Sequence, residues 1–260
     1  MKCGICGSEA EKIFEGTVLG RHRAEYYACR GCGFLFIPEP SWLKEAYKSP
    51  INVTDTGILQ RNISLAEKAA VIISLFFDRK SRFLDFAGGY GIFTRLMRDI
   101  GFDFLWHDPY ASNLFARGFE RSGDAPVEML TTFESFEHFT DPAAELEKML
   151  LISRNILFTT TLLPDPVPRP AEWWYYGLEH GQHISFYTEE ALRALGRKFS
   201  LNLYTNGRDL HLFTPERISP ALFRLAAGLG SRWTRKLLCS GLAPRTVEDM
   251  ERLSMERRTE

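Results

Sequence analysis

The chain of 260 residues has no long apolar run, no dominant charge and few cysteines, and each shortage excludes something. Its longest apolar stretches, such as residues 69–77, fall far short of the ~20 residues that cross a bilayer. The start, Met1-Lys2-Cys3-Gly4, offers no apolar core for a secretion signal, so the expected location is the cytoplasm. With Lys+Arg 32 against Asp+Glu 33, the formal charge of -1 argues against a chain-wide electrostatic grip on nucleic acid. No internal repeat or low-complexity tract is present. The balance of 45% hydrophobic and 25% charged residues excludes disorder over most of the length. Such a length suits one large α/β domain with appendages, or two domains.

Cysteine is scarce but unevenly placed. Four of the five form Cys3-x-x-Cys6 and Cys29-x-x-Cys32, while Cys239 stands alone. Two CxxC knuckles with 22 residues between them fit a four-thiolate tetrahedral zinc site. Each knuckle contains a glycine (Gly4, Gly31) and is followed by one (Gly7, Gly33), which lets the backbone fold around a metal. A redox pair or two disulfides are the other readings; the first lacks a thioredoxin-like context and the second does not suit the cytoplasm. Four thiolates leave no open coordination position, so this metal is expected to fold the segment without catalysing.

Past Pro38-Glu39-Pro40 the spacing predicts a short helix over 42–48, a polar connector over 52–57 and a helix over 58–77. Strands and helices then alternate: strands at 82–87, 102–107, 127–133 and 155–161, and helices at 92–100, 111–119 and 142–151. Alternation of this kind implies α/β architecture with a parallel sheet between helices. Pro164, Pro166, Pro168 and Pro170 interrupt it and precede Trp173-Trp174-Tyr175-Tyr176. A helix capped by Thr188 follows, and then strands at 201–205 and 209–213 joined by Asn206-Gly207, a strong hairpin signal. The expected domains are a zinc ribbon over 1–40, a helical connector over 41–80, the α/β domain over 81–214 and a helical tail over 215–260.

The segment Phe83-Leu84-Asp85-Phe86-Ala87-Gly88-Gly89-Tyr90-Gly91 reads as a strand entering a glycine-rich turn and then a helix. Glycines there let backbone N–H groups approach a ligand at the helix N-terminus. Asp108 ends the next strand, where a carboxylate suits a ribose diol. On these residues the chain resembles the class I S-adenosylmethionine-dependent methyltransferases over roughly residues 58–214. The family's acidic-x-Gly-x-Gly-x-Gly loop corresponds to Asp85-x-Ala87-x-Gly89-x-Gly91, with Ala87 replacing the first glycine and Gly88 beside it. The resemblance implies a Rossmann-like parallel sheet ending in an antiparallel hairpin, with S-adenosylmethionine as cofactor. Gly89 and Gly91 would approach its methionine part and Asp108 its ribose, with Asp85, Ala87, Gly88 and Phe133 completing the cofactor site. A nicotinamide-binding Rossmann fold is the rival reading, but it has no such hairpin.

After the 127–133 strand comes Glu134-Ser135-Phe136-Glu137-His138. If a helix begins there, Glu134, Glu137 and His138 share one face, where they disturb one another unless a cation lies between them. Further on, Glu179-His180-Gly181-Gln182-His183 adds two imidazoles that can line the same crevice. Glu-x-x-Glu-His resembles the metal motif of the ubiquinone-biosynthesis O-methyltransferases and of the small-RNA 3′-end 2′-O-methyltransferases. That resemblance implies Glu134, Glu137, His138 and His183 as ligands of a divalent metal, Mg or Mn, with Zn or Fe left open by the two nitrogens. The alternative is that Glu and His only cap a helix or touch cofactor and substrate. Two neighbouring acceptor hydroxyls would fill the open positions, and His180, or His138 when unliganded, would take the proton.

Trp173, Trp174, Tyr175 and Tyr176 are candidate acceptor contacts for a sugar ring or base, or else a packed lid. The N-terminal ribbon resembles those of the nucleotide-sugar C-methyltransferases, which carry a further C-terminal domain. Together these features imply O-methylation of a sugar or other vicinal-diol hydroxyl on a small-molecule or glycan acceptor. The competing functions are a nucleotide-sugar C-methyltransferase, a metal-independent small-molecule methyltransferase, an RNA 2′-O-methyltransferase and a non-catalytic binding module. Residues 218–247 carry Arg224, Arg232, Arg235, Lys236 and Arg245 without one acidic residue. That stretch is expected to pack on the domain or a second subunit, or to lie on an anionic membrane surface.

Overall fold

The computed structural model describes residues 1–48 and 55–259. Strands β1 (Ala10–Val18) and β2 (His22–Cys29) form an antiparallel ribbon. Its register sets Ala10 opposite Cys29, which brings the first CxxC knuckle beside the second. A short β3 (Leu35–Phe36) continues the ribbon against β2. The helix expected at 42–48 is the single turn α1 (Leu43–Ala46). Part of the connector expected at 52–57 lies outside the described residues. Helix α2 (Ile58–Phe76) then buries Leu65, Ala66, Ala69, Ala70, Val71, Ile72 and Ile73, and ends where Phe77 turns extended.

Strand β4 (Arg82–Phe86) passes through the glycine turn into α3 (Ile92–Ile100), and β5 (Asp103–His107) follows. The helix expected over 111–119 is absent, although Ala111, Leu114, Phe115 and Phe119 have helical spacing. The Asn113 side-chain oxygen captures the Ala116 N–H at 2.9 Å, and the N–H groups of Leu114 and Phe115 both donate to the Tyr90 carbonyl. Gly118 then takes a left-handed φ of 85°. Beyond it the chain runs beside β5, with Trp106 N–H donating to Phe119 O and Arg121 N–H to Trp106 O.

Then come β6 (Met129–Thr132), α4 (Pro142–Leu150) and β7 (Ile156–Thr159). Asp141 caps α4 by accepting from the N–H groups of Ala143 and Ala144, with Pro142 in the first turn, where its missing donor costs nothing. A two-residue strand that the sequence did not announce, β8 (Ser185–Phe186), precedes α5 (Glu189–Lys198), capped by Thr188 as expected. Strands β9 (Asn202–Thr205) and β10 (Leu210–Thr214) form the hairpin. At its turn, Asn206 Oδ1 accepts from the N–H groups of Arg208, Asp209 and Leu210. Helices α6 (Pro220–Gly228), α7 (Arg232–Leu238) and α8 (Thr246–Thr259) complete the chain, and among the described residues no helix is long and apolar enough to cross a membrane.

The fold is α/β, and it divides into two compact units, each built from two separate stretches. Met1–Asn52 joins Phe133–Arg217, so the N-terminal ribbon shares a unit with the second half of the α/β region. In this unit β1-β2-β3-β8 form one antiparallel sheet and β7-β10-β9 run antiparallel in another. Tyr26, Leu35, Trp42, Tyr175, Tyr176 and Phe186 are part of its core. The other unit joins Val53–Thr132 to Ile218–Glu260. There β5-β4-β6 are parallel, α2 packs on α3, and α6 and α7 pack on α2. Helix α8 is anchored by the fully buried Arg98, whose guanidinium donates to both oxygens of Asp249 at 2.8 and 2.6 Å.

Candidate functional site

Three clusters stand out, two in the first unit and one in the second. Cys3, Cys6, Cys29 and Cys32 place their sulfurs within 4.8 Å of one another, with Cys6 to Cys29 at 3.3 Å and Cys3 to Cys32 at 3.9 Å. Bonds of ~2.3 Å from a tetrahedral zinc put sulfurs about 3.8 Å apart, so the cluster has the right size as well as the right chemistry. The N–H groups of Gly31 and Cys32 donate to Cys29 Sγ, an arrangement that favours a thiolate. Gly7 and Gly33 have φ of 76° and 72°, the conformation that folds each knuckle back. Cys239 is buried elsewhere, 3.5 Å from Ser74 Oγ.

The glycine turn lies in the second unit. Ala87, Gly89 and Gly91 all have positive φ (57°, 52° and 81°), so the position where the family has its first glycine is strained by a Cβ here. A Cβ at Gly88 would lie 2.7 Å from Asp85 Oδ2 and from Trp106, and one at Gly91 would lie 2.6 Å from Asn113 Oδ1. The turn thus fits closely at Gly88 and Gly91, which have no room for a side chain. Asp108 Oδ2 accepts from Gly89 N–H at 2.9 Å, and its Oδ1 accepts from Tyr110 and Ala111 N–H. Asp85 is buried and accepts from Thr94 and Thr131 hydroxyls. Burial pushes its pKa up to about 7, against the two hydroxyls that pull it down.

The acidic and histidine residues lie in the first unit. The segment is not an α-helix: Phe136–His138 form a 3-10 turn, and Glu134 precedes it at a strained φ of 52°. The shared helical face is therefore lost, and the structure gathers Glu137, His138 and His183, with one ligand atom from each within 4.8 Å of the others. Thr159 engages Glu134, its hydroxyl accepting from Glu134 N–H and donating to Glu134 Oε1. His183 Nδ1 donates to Tyr175 O at 2.6 Å, which leaves Nε2 free to bind a metal. His138 Nδ1 meets the Tyr47 hydroxyl at 2.6 Å.

Both carboxylate oxygens of Glu137 are buried and make no close hydrogen bond, although the Tyr175 and Thr160 hydroxyls stand near enough to favour its charged form. Burial raises its pKa, and the Glu134 carboxylate adds to the rise. Burial also lowers those of His138, His183 and His180; His183 and His180 depress His138 further, and His180 depresses His183, while Glu179 pulls His180 back up. Neutral imidazoles are in the state a metal requires, and a cation beside Glu137 would favour the charged carboxylate that burial opposes. The His180 ring lies 4.7 Å from that of His183, over Gly177, where a Cβ would fall 2.2 Å from Nε2.

The four aromatics do not form one open platform. Tyr175 and Tyr176 are 1% exposed and belong to the core, Tyr175 beside His183 and Tyr176 against Tyr26 and Phe186. Trp173 packs on both tyrosines, and Trp174 alone is open, at 78%. Phe133, expected at the cofactor, is half-buried directly before Glu134. Sequence reasoning missed Tyr47 and Thr159, which steady His138 and Glu134; neither lies in a motif, and only the folded register brings them near.

The family model described as "Methyltransferase domain" matches residues 59–206, more than half of the chain. No curated protein matches it. Among solved structures, CalO1, a methyltransferase in calicheamicin biosynthesis with bound SAH, is 13% identical at a TM-score of 0.43, covering 58% of this chain and 54% of its own. The plantazolicin methyltransferase BpumL is 14% identical at 0.48, covering 78% and 88%. The mitomycin 7-O-methyltransferase MmcR is 13% identical at 0.44, covering 67% and 60%. The chain thus spans little more than half the length of CalO1.

Proposed function

Because the chain belongs to the methyltransferase domain family, we propose that it transfers a methyl group from S-adenosylmethionine to a hydroxyl oxygen of a small-molecule or glycan acceptor. The acceptor class is a sugar or other vicinal diol. When bound, the cofactor supplies a methyl group on a positively charged sulfur. Asp108 would accept hydrogen bonds from the ribose hydroxyls, and the backbone of Gly89 and Gly91 would approach the methionine part. Asp85 braces the turn from beneath through Thr94 and Thr131.

The observation behind the hydroxyl chemistry is Glu137, whose two buried oxygens make no close hydrogen bond and stand beside two neutral imidazoles. An O,N,N donor set of this kind fits a divalent cation, Mg or Mn first, which lowers the pKa of a bound hydroxyl. Glu137, His138 and His183 would hold it, with Glu134 as a further carboxylate close by in sequence. His180, neutral at pH 7, is the acceptor for the departing proton. The four cysteines are read as a structural zinc site that supplies folding energy and no chemistry.

Calorimetry and chelation test this reading together. S-adenosylmethionine should bind the full chain, and failure to bind would favour a non-catalytic module. Excess chelator selective for the second site should stop transfer, with Mn²⁺ restoring it. The variant Glu137→Gln should lose Mn²⁺ binding by at least about tenfold while still binding cofactor. Full transfer in chelator would leave a metal-independent methyltransferase.

A further inference from the structure

Helices α6 and α7 are short, consecutive and only half used by the fold. Helix α6 buries Phe223, Ala226 and Ala227 and packs on α2. Leu222, Leu225 and Leu229, at i, i+3 and i+7, form a second row that stays exposed. Helix α7 also packs on α2, yet buries none of its own residues. Trp233 and Leu237, one turn apart, are 84% and 76% exposed. Five large apolar side chains in 16 residues, two of them almost wholly in water, are more than scattered surface leucines account for.

Every charged residue from 218 to 247 is basic. Arg224, Arg232 and Lys236 are exposed and Arg235 partly so, and no acidic group lies within ion-pair distance of these four among the described residues. In α7, Arg232 and Lys236 flank the Trp233–Leu237 face, so their long stems can run along an apolar layer while their charged ends reach a polar one. Ser231 and Thr234 complete the polar side.

We propose that the α6–α7 face docks this protein on an anionic membrane surface, with Trp233 and Leu237 inserted at headgroup depth and Arg224, Arg232, Arg235 and Lys236 on the phosphates. The occupant is chosen by charge and by tryptophan. A second copy meeting this face about a two-fold axis would set four cations against the same four. Nucleic acid would satisfy the cations but leave the leucine row in water. A lipid boundary satisfies both, since basic side chains beside an apolar Trp/Leu face are what lies stably in the interface. This inference does not depend on the acceptor or on the metal.

Cosedimentation of the full chain with vesicles tests it. Vesicles of phosphatidylcholine with roughly one third phosphatidylserine should retain the protein, and pure phosphatidylcholine should bind it at least about tenfold more weakly. The variants Trp233→Ala/Leu237→Ala and Arg232→Glu/Lys236→Glu should each lose about tenfold or more in binding. All four side chains are exposed or nearly so, and unchanged thermal melting would show that both variants fold. Tryptophan fluorescence should shift to the blue with anionic vesicles and stay unshifted in Trp233→Ala. Equal retention by the two lipid mixtures, or wild-type binding by both variants, would overturn the proposal. So would a concentration-dependent dimer that Trp233→Ala/Leu237→Ala abolishes, which would assign the face to a second copy.

Discussion

Asp85 shows how one buried carboxyl can govern a pH response. Its folded pKa, about 7, lies above the ordinary 3.8, so between those values the folded state holds a proton that the unfolded state releases. Stability from this group is therefore complete below about pH 4 and lost as the pH rises toward 7, by roughly 4 kcal/mol at most. In cofactor-free protein, Asp85→Asn should flatten the fall in urea-unfolding stability between pH 4 and 7; an unchanged slope would place its origin elsewhere. At this scale the sequence was most legible where chemistry fixes residue type, in the four cysteines and in the glycine turn. It was least legible at Glu134, Glu137 and His138. Their spacing implied a shared helical face, but a positive φ at Glu134 and a 3-10 turn over Phe136–His138 replace the helix.

Among the elements, periodicity found α2, α3, α4 and α5 because each buries one stripe and has a clear stop or cap. The same rule failed over 111–119, where an Asn side chain and the Tyr90 carbonyl compete for backbone donors that a helix would use. It was silent on β8, two residues long and defined only by its partner. Helix α8 is held by the Arg98–Asp249 pair, with Arg98 stacked 3.8 Å over the Phe119 ring. Both charges are buried, so Asp249→Ala would strand a guanidinium that Asp103 only partly compensates. Urea unfolding should show a loss of about 3 kcal/mol. A loss below about 1 kcal/mol would mean that α8 docks chiefly through other contacts.

At the scale of the whole molecule, the thiolate cluster, β3 and the His180–His183 segment belong to one unit. Thr188 Oγ1 donates to Cys32 O, Ile37 N–H to Ile184 O, and Trp42 Nε1 to Gly181 O. Extraction of zinc should therefore be felt well beyond the ribbon. Hydrogen exchange should speed up in residues 1–37 and again in 184–188, while α2 and β4 keep their protection. Retained protection over 184–188 would show that β8 holds without the metal cluster.

The pairing of Leu35 with Phe186 also constrains how the chain is made. The two residues are separated by most of the α/β region, which a ribosome adds at about 5–20 residues per second. For roughly ten seconds or more the nascent ribbon carries an unsatisfied strand edge, with Phe36 half in water and no β8 to cover it. The knuckles and the β1–β2 hairpin lie wholly within what has already emerged, so a metal captured by the four thiols would steady the ribbon through that interval.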